Sequence, residues 1–180
     1  MHLPAREIPT LQSARLRLRA PTLNDLPQSL AMWSDPDVSR HISGKPSTEE
    51  EVWGRLIRYV GHWCLIGYGY WVVEAIEDGA YVGEVGFGDY RRAMVPPLDR
   101  VPEMGWVLAT RAHGQGLATE AARAALAWRD SALPPGPTVS IVAPEHGASL
   151  RVAAKLGFHA IGQSMYRAQP TVVLRRNAPT

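Results

Sequence analysis

Glu103-Met104-Gly105-Trp106-Val107-Leu108-Ala109-Thr110-Arg111-Ala112-His113-Gly114-Gln115-Gly116-Leu117-Ala118-Thr119-Glu120 carries a strand pattern, a glycine turn and a helix start in direct succession. Met104, Trp106 and Leu108 alternate with Glu103, Gly105 and Val107, the period of a strand, and an alanine-rich helix is expected from about Leu117 to about Ser131. A helix start leaves backbone N–H groups without intrahelical partners. Glycines at 114 and 116 let the backbone approach an anion with no Cβ in the way, and the helix dipole adds positive potential. Arg111 to Glu120 is therefore a candidate phosphate cradle.

The spacing narrows which phosphate it takes. No Gly-x-x-x-x-Gly-Lys-Ser/Thr loop occurs, which argues against a P-loop nucleotidase. A dinucleotide fingerprint would need glycine where Thr119 stands, and would open a βαβ unit. By itself, Gly-x-Gly between strand and helix is equally a tight connection that binds nothing.

Outward from the cradle, residues 15–20 alternate arginine with Leu16 and Leu18 as a strand ended by Pro21. Thr22 is the expected N-cap for a helix from Leu23 to Trp33, closed by an Asp35-Pro36-Asp37 turn. Ser47-Thr48-Glu49-Glu50-Glu51 is a capping signature, followed by Val52, Leu56, Tyr59, Val60 and Trp63 at helical spacing. Residues 71–76 and 81–87 flank an Asp78-Gly79 turn as a hairpin. Asp89 to Pro102 has no period and reads as a long loop. After the Pro134-Pro135-Gly136-Pro137 connector come a short strand at 139–142, a helix at 148–156 ended by Gly157, and strands at 158–166 and 171–175. The sum is one α+β domain over residues 1–180. It should hold a mixed, mostly antiparallel twisted sheet of about six to seven strands flanked by about four helices.

Composition sets outer bounds. At 180 residues, 46% hydrophobic and 20% charged, the chain is an ordinary globular protein. Of its nineteen basic residues only Lys45 and Lys155 are lysines, and the arginines are scattered, which indicates no nucleic-acid partner. Cys64 is the single cysteine, so an internal disulfide is excluded and a reducing cytoplasm fits. No apolar run approaches the ~20 residues of a membrane span, and no secretory leader pattern is present. Oligomeric state is not legible, a homodimer being one possibility.

Arg111 to Ala121 closely resembles the acetyl-CoA pyrophosphate loop of the GNAT superfamily, Arg/Gln-x-x-Gly-x-Gly/Ala, and the continuation Leu117-Ala118-Thr119-Glu120-Ala121 resembles its RimJ/RimL-type branch. Ser149-Leu150-Arg151-Val152-Ala153-Ala154-Lys155-Leu156-Gly157-Phe158 is similar to that branch's Ser-x-Arg-Val-x-Glu-Lys-Leu-Gly-Phe signature. Arg15 to Arg19, Ser34 to Val38 and Glu103 to Leu108 fall where the branch has like segments, so the resemblance covers nearly the whole chain. Two positions depart: His146 stands where the branch usually has asparagine, and Ala154 where its signature has glutamate.

The resemblance implies a GNAT-like fold and acetyl transfer from acetyl-CoA to a primary amine, either a protein N-terminal amine or a small molecule, without a metal. It implies a coenzyme site of Trp106, Val107, Leu108, Arg111, His113, Gly114, Gln115, Gly116, Leu117, Ala118, Thr119, His146, Ser149, Arg151 and Lys155, with the Val107 and Leu108 amides on the pantetheine. Such transfer needs a neutral amine nitrogen and help for the departing thiolate. Glu103, partly enclosed by Trp106 and the hairpin, is the candidate base, and an exposed strand-end glutamate is the plain alternative. Ser149 is the candidate acid toward the sulfur, and a helix-capping serine is its alternative. An acyl-CoA-binding or sensing module without turnover is the other functional reading, motivated by His146 and Ala154.

His113 and His146 lack further ligands at metal spacing. Cys64 is expected as a packed thiol. Trp33, His41, Trp53, Trp63, Tyr68 and Trp71 are expected mostly in the core, with one or two lining an acceptor pocket together with the 89–102 loop.

Overall fold

A computed structural model describes residues 7–95, 97–98 and 100–178. Pro96 and Asp99, inside the expected 89–102 loop, and the ends of the expected 1–180 domain lie outside the described residues.

The first helix divides in two. Leu23–Asp25 form a 3-10 turn, and α1 follows at Leu26–Trp33. Asp25 turns its carboxylate back to the Thr22 amide at 2.6 Å and to the Arg19 guanidinium at 2.6 and 2.9 Å, so it closes a box with Thr22 instead of continuing one helix. The expected Asp35-Pro36-Asp37 turn is the start of a short helix, α2 (Pro36–Ser39), with Asp35 accepting from the Asp37 amide at 2.8 Å. α3 (Glu49–Ile66) opens on the Thr48/Glu51 capping box and stops at Gly67, whose φ of 81° only glycine adopts readily.

The sheet has eight strands, more than expected: β1 (Leu11–Gln12), β2 (Leu16–Arg19), β3 (Tyr70–Ala75), β4 (Tyr81–Gly88), β5 (Glu103–Leu108), β6 (Thr138–Val142), β7 (His159–Tyr166) and β8 (Gln169–Arg176). The order is β1-β2-β3-β4-β5-β6-β8-β7. The two-residue β1, which pairs Leu11 with Leu18, is too short to leave a periodic signal in sequence. All neighbours are antiparallel except β5 and β6.

α4 (Leu117–Ala132) lies on one face, where the fully buried Ala121, Ala122 and Ala125 bring its axis close to Trp71, Val85 and Phe87. On the other face Met32, Trp33, Val38 and Val52 of the first three helices pack on Val72 and Tyr81. The 89–102 loop folds back over the sheet, setting Met94 and Leu98 against Val139 and Val173. One expectation fails here. Cys64 is exposed, because the buried stripe of α3 runs through Val52, Leu56, Tyr59 and Trp63. Trp53 lies off the same stripe at 42% exposed, while Trp33, Trp63 and Trp71 are buried.

The parallel β5 and β6 register at a single position, Glu103 opposite Val139. Beyond it the strands separate toward their C-terminal ends and open a wedge in the sheet. One wall is Trp106 to Leu108; the other is the start of α5 (Gly147–Lys155).

Candidate active site

A cleft of about 360 Å³ follows the wedge. Trp106, Val107, Leu108, His113, Gly114, Gly116, Leu117, Ala118, Thr119, His146, Ser149, Arg151 and Lys155 all line it, so residues up to 49 positions apart meet in one place. Asp37, Val38 and Ile42 form a further wall that no local motif places there. They arrive through α2, which Asp35 ties to the chain just before the cradle by accepting from the Thr110 hydroxyl at 2.6 Å.

The cradle has the conformation that an anion site needs. Gly114 and Gly116 have φ of 75° and 77°. Among the described residues, the amides of Gly114, Gln115, Gly116, Leu117, Ala118 and Thr119 have no hydrogen-bond acceptor, and the intrahelical ladder begins with Glu120 N–H to the Gly116 carbonyl at 3.1 Å. These donors, with glycine on either side of Gln115, suit a pyrophosphate.

Some cradle side chains point elsewhere. The Arg111 guanidinium donates to the Tyr81 carbonyl, and the Gln115 side-chain amide donates to the Arg111 carbonyl at 2.8 Å, so neither side chain lines the cleft. His113 Nε2 lies 2.8 Å from the Leu108 carbonyl, an acceptor only, which assigns the proton to Nε2.

Strand parity corrects two expectations. Ala109 N–H donates to the Val82 carbonyl at 3.0 Å, so alternation turns the Val107 amide toward β4 too and leaves those of Trp106 and Leu108 facing the wedge. The amides that face the wedge are thus those of Trp106 and Leu108, where Val107 and Leu108 were expected. The same alternation sends Glu103 and Trp106 to opposite faces, so Trp106 packs on Phe158 and does not enclose Glu103.

Glu103 is buried at the closed end of the wedge and does not line the cleft. Its enclosure comes from the 89–102 loop: Arg92 donates to both carboxylate oxygens, at 2.7 Å each, with its guanidinium 4.5 Å from the Tyr90 and Tyr166 rings. Burial raises the Tyr90 hydroxyl pKa, keeping it protonated. Sequence gave Arg92 no period or motif that would single it out.

A second buried carboxylate, Glu84 on β4, also escaped notice. It accepts from Ser29 Oγ at 2.5 Å, Trp33 Nε1 at 2.9 Å, Tyr59 at 2.8 Å and Tyr81 at 2.9 Å. Tyr59 stacks on Tyr70 at 4.4 Å, and Gly105 leaves room for the Tyr70 hydroxyl. This polar row runs under α3 from Glu84 to Glu103.

Ser149 sits inside the first turn of α5, not at its cap, which is His146. Its hydroxyl makes no hydrogen bond among the described residues and borders the cleft, so the capping alternative is not realised. His146 stacks on His41 at 4.5 Å and joins the turn after α2 to the start of α5 across the wedge. Burial, with His41 and His113 nearby, pushes the His146 pKa down to about 4. No group of three or more potential metal ligands occurs among the described residues, and no helix among them is long and apolar enough to cross a membrane.

This architecture is that of an acetyltransferase, and the chain belongs to the GNAT family: residues 15–159 match the acetyltransferase (GNAT) domain. It is 32% identical over 158 residues to the uncharacterized protein YkkB of Bacillus subtilis (strain 168), covering 83% of this chain and 84% of that protein. An acetyltransferase structure from Agrobacterium tumefaciens str. C58 is 28% identical with a TM-score of 0.81, covering 96% of each chain. The fold is shared with spermidine N-acetyltransferase from Vibrio cholerae in complex with CoA and spermine, at 18% identity and a TM-score of 0.71, over 92% of this chain and 97% of that one.

Proposed function

We propose that this protein is a RimJ/RimL-type N-acetyltransferase that moves the acetyl group of acetyl-CoA to a primary amine, of a protein N-terminus or a small molecule, by direct attack and without a covalent enzyme intermediate. The observation that carries this reading is the run of unpartnered amides from Gly114 to Thr119 at the mouth of a wedge that reaches into the sheet. A relative of the same fold holds CoA and a polyamine, which fits a donor and an amine acceptor meeting in such a wedge.

When bound, the coenzyme supplies an activated acyl thioester. The cradle amides hold its diphosphate, Arg151 and Lys155 add positive charge along the same wall, and the Trp106 and Leu108 amides orient the acyl end. Glu103, paired with Arg92, takes the ammonium proton through water. Each of its oxygens retains a lone pair that Arg92 does not occupy. Ser149 donates to the departing sulfur, near the positive end of α5. Holding amine and thioester in line contributes much of the rate. The absence of disulfide chemistry suits a cytoplasmic enzyme.

Acetyl-CoA is expected to raise the melting temperature while NAD and ATP do not, since a ligand of the native state stabilises it. Stabilisation by NAD alone would overturn the proposal. The bidentate hold of Arg92 on Glu103 favours one second reading, an acyl-CoA-binding module that does not turn over. Single-turnover assays on amine panels separate the two: thiol release coupled to acetylated amine supports the enzyme, and binding without thiol release supports the module.

A further inference from the structure

Arg15 stands just before β2, far in sequence from the cradle, yet its side chain lies directly behind it. Nη1 and Nη2 both donate to the Gln115 carbonyl at 3.2 Å, and Nε donates to Glu120 Oε2 at 2.7 Å. Glu120 Oε1 accepts from the Arg15 amide and from Ser13 Oγ, each at 2.8 Å. Burial raises the Glu120 pKa, but these hydrogen bonds and the Arg15 charge outweigh it and hold the carboxyl below its ordinary range.

We propose that Arg15 is a positioning residue for the coenzyme's diphosphate, an inference that rests on the cradle being an acetyl-CoA site. In a trans peptide the C=O and N–H point in opposite directions. By drawing the Gln115 carbonyl outward, Arg15 aims the Gly116 N–H away from itself, toward the anion. The restraint matters because this peptide unit ends on Gly116 and lies just after Gly114, both at positive φ, where the backbone has little steric resistance to a flip. A flipped unit would present a carbonyl oxygen to the phosphate. Arg15 also neutralises Glu120, whose charge in the first turn of α4 would otherwise oppose an incoming anion. Gly116 and Thr119 border both the cleft and a surface hollow lined by Ser13, Arg15 and Glu120, so the restraint acts through the cradle wall without occupying the ligand space.

The test is calorimetric titration with CoA, paired with steady-state kinetics. Arg15→Ala is expected to raise the CoA Kd and the acetyl-CoA KM roughly tenfold while leaving kcat within about twofold. Arg15→Lys should recover part of the loss. If Arg15→Ala does not fold, Arg15→Met, which keeps the aliphatic stem, carries the same expectation. A folded Ala or Met variant with wild-type Kd overturns the proposal, and so does a fall in kcat with KM unchanged. Failure of the wild-type chain to bind CoA would instead remove the acetyl-CoA reading itself, and this inference with it.

Discussion

The indole N–H of Trp33, at the end of α1, donates to Glu84 in the middle of the sheet at 2.9 Å. Three hydroxyls share that carboxylate, so Glu84 pins α1 and α3 to β4. Glu84→Ala strands four buried donors and is expected to lower unfolding free energy by about 3 kcal/mol or more. Glu84→Gln should cost markedly less. Its carbonyl can serve Trp33 and Tyr59 while its NH2 donates to the Ser29 and Tyr81 hydroxyls, which can accept. Urea unfolding of both variants checks the order, and equal losses would contradict it.

Ser149→Ala removes a hydroxyl that makes no hydrogen bond among the described residues, so its unfolding midpoint should match wild type. Its proposed role toward the sulfur predicts that kcat falls about a hundredfold with acetyl-CoA KM nearly unchanged. An unaltered kcat would remove Ser149 from the chemistry.

Glycine substitutions should separate conformational strain from collision. A Cβ at Gly114 meets nothing within 4 Å and one at Gly116 meets only Arg15 Nη2 at 3.8 Å, so alanine at either position should cost about 1 kcal/mol through positive φ alone. A Cβ at Gly105 collides with the buried Tyr70 hydroxyl, and Gly105→Ala should cost about 2–3 kcal/mol. Tyr70→Phe in the Gly105→Ala background should restore part of this, as a double-mutant cycle would read out.

His146 gives a pH signature. Its folded pKa of about 4 lies below the ordinary value of 6.5, so its neutral form is favoured on folding. The associated stability is complete above about pH 6.5 and is shed as pH falls from there to about 4. Near the ring are His41, His113, Arg40 and Glu145. Melting curves from pH 7 to 5 should show a smaller loss for His146→Asn than for wild type, and the imidazole proton shift of His146 should titrate near 4.

The strand-turn-helix at 103–120 was readable because each part has a local cause: alternation, alanine content, and glycines where φ is positive. The α3 capping box was readable for the same reason. Arg92, Glu84 and the α2 wall were not, since their roles come mostly from partners 11 to 75 residues away that no local period records. Residue-type tendencies also misled. Cys64 belongs by chemistry to a core but by helical phase to the surface, and Val107 sits at the expected place with its amide turned the other way.

The lone β5–β6 register at Glu103 and Val139 bears on folding cooperativity. Five strands lie on one side of that junction and three on the other, like two ladders sharing one rung. A molecule seated in the wedge touches β5 of one ladder and α5, the helix that follows β6 of the other, and so adds a bridge that the polypeptide lacks. The calorimetric transition is therefore expected to sharpen, as well as rise, when the wedge is filled.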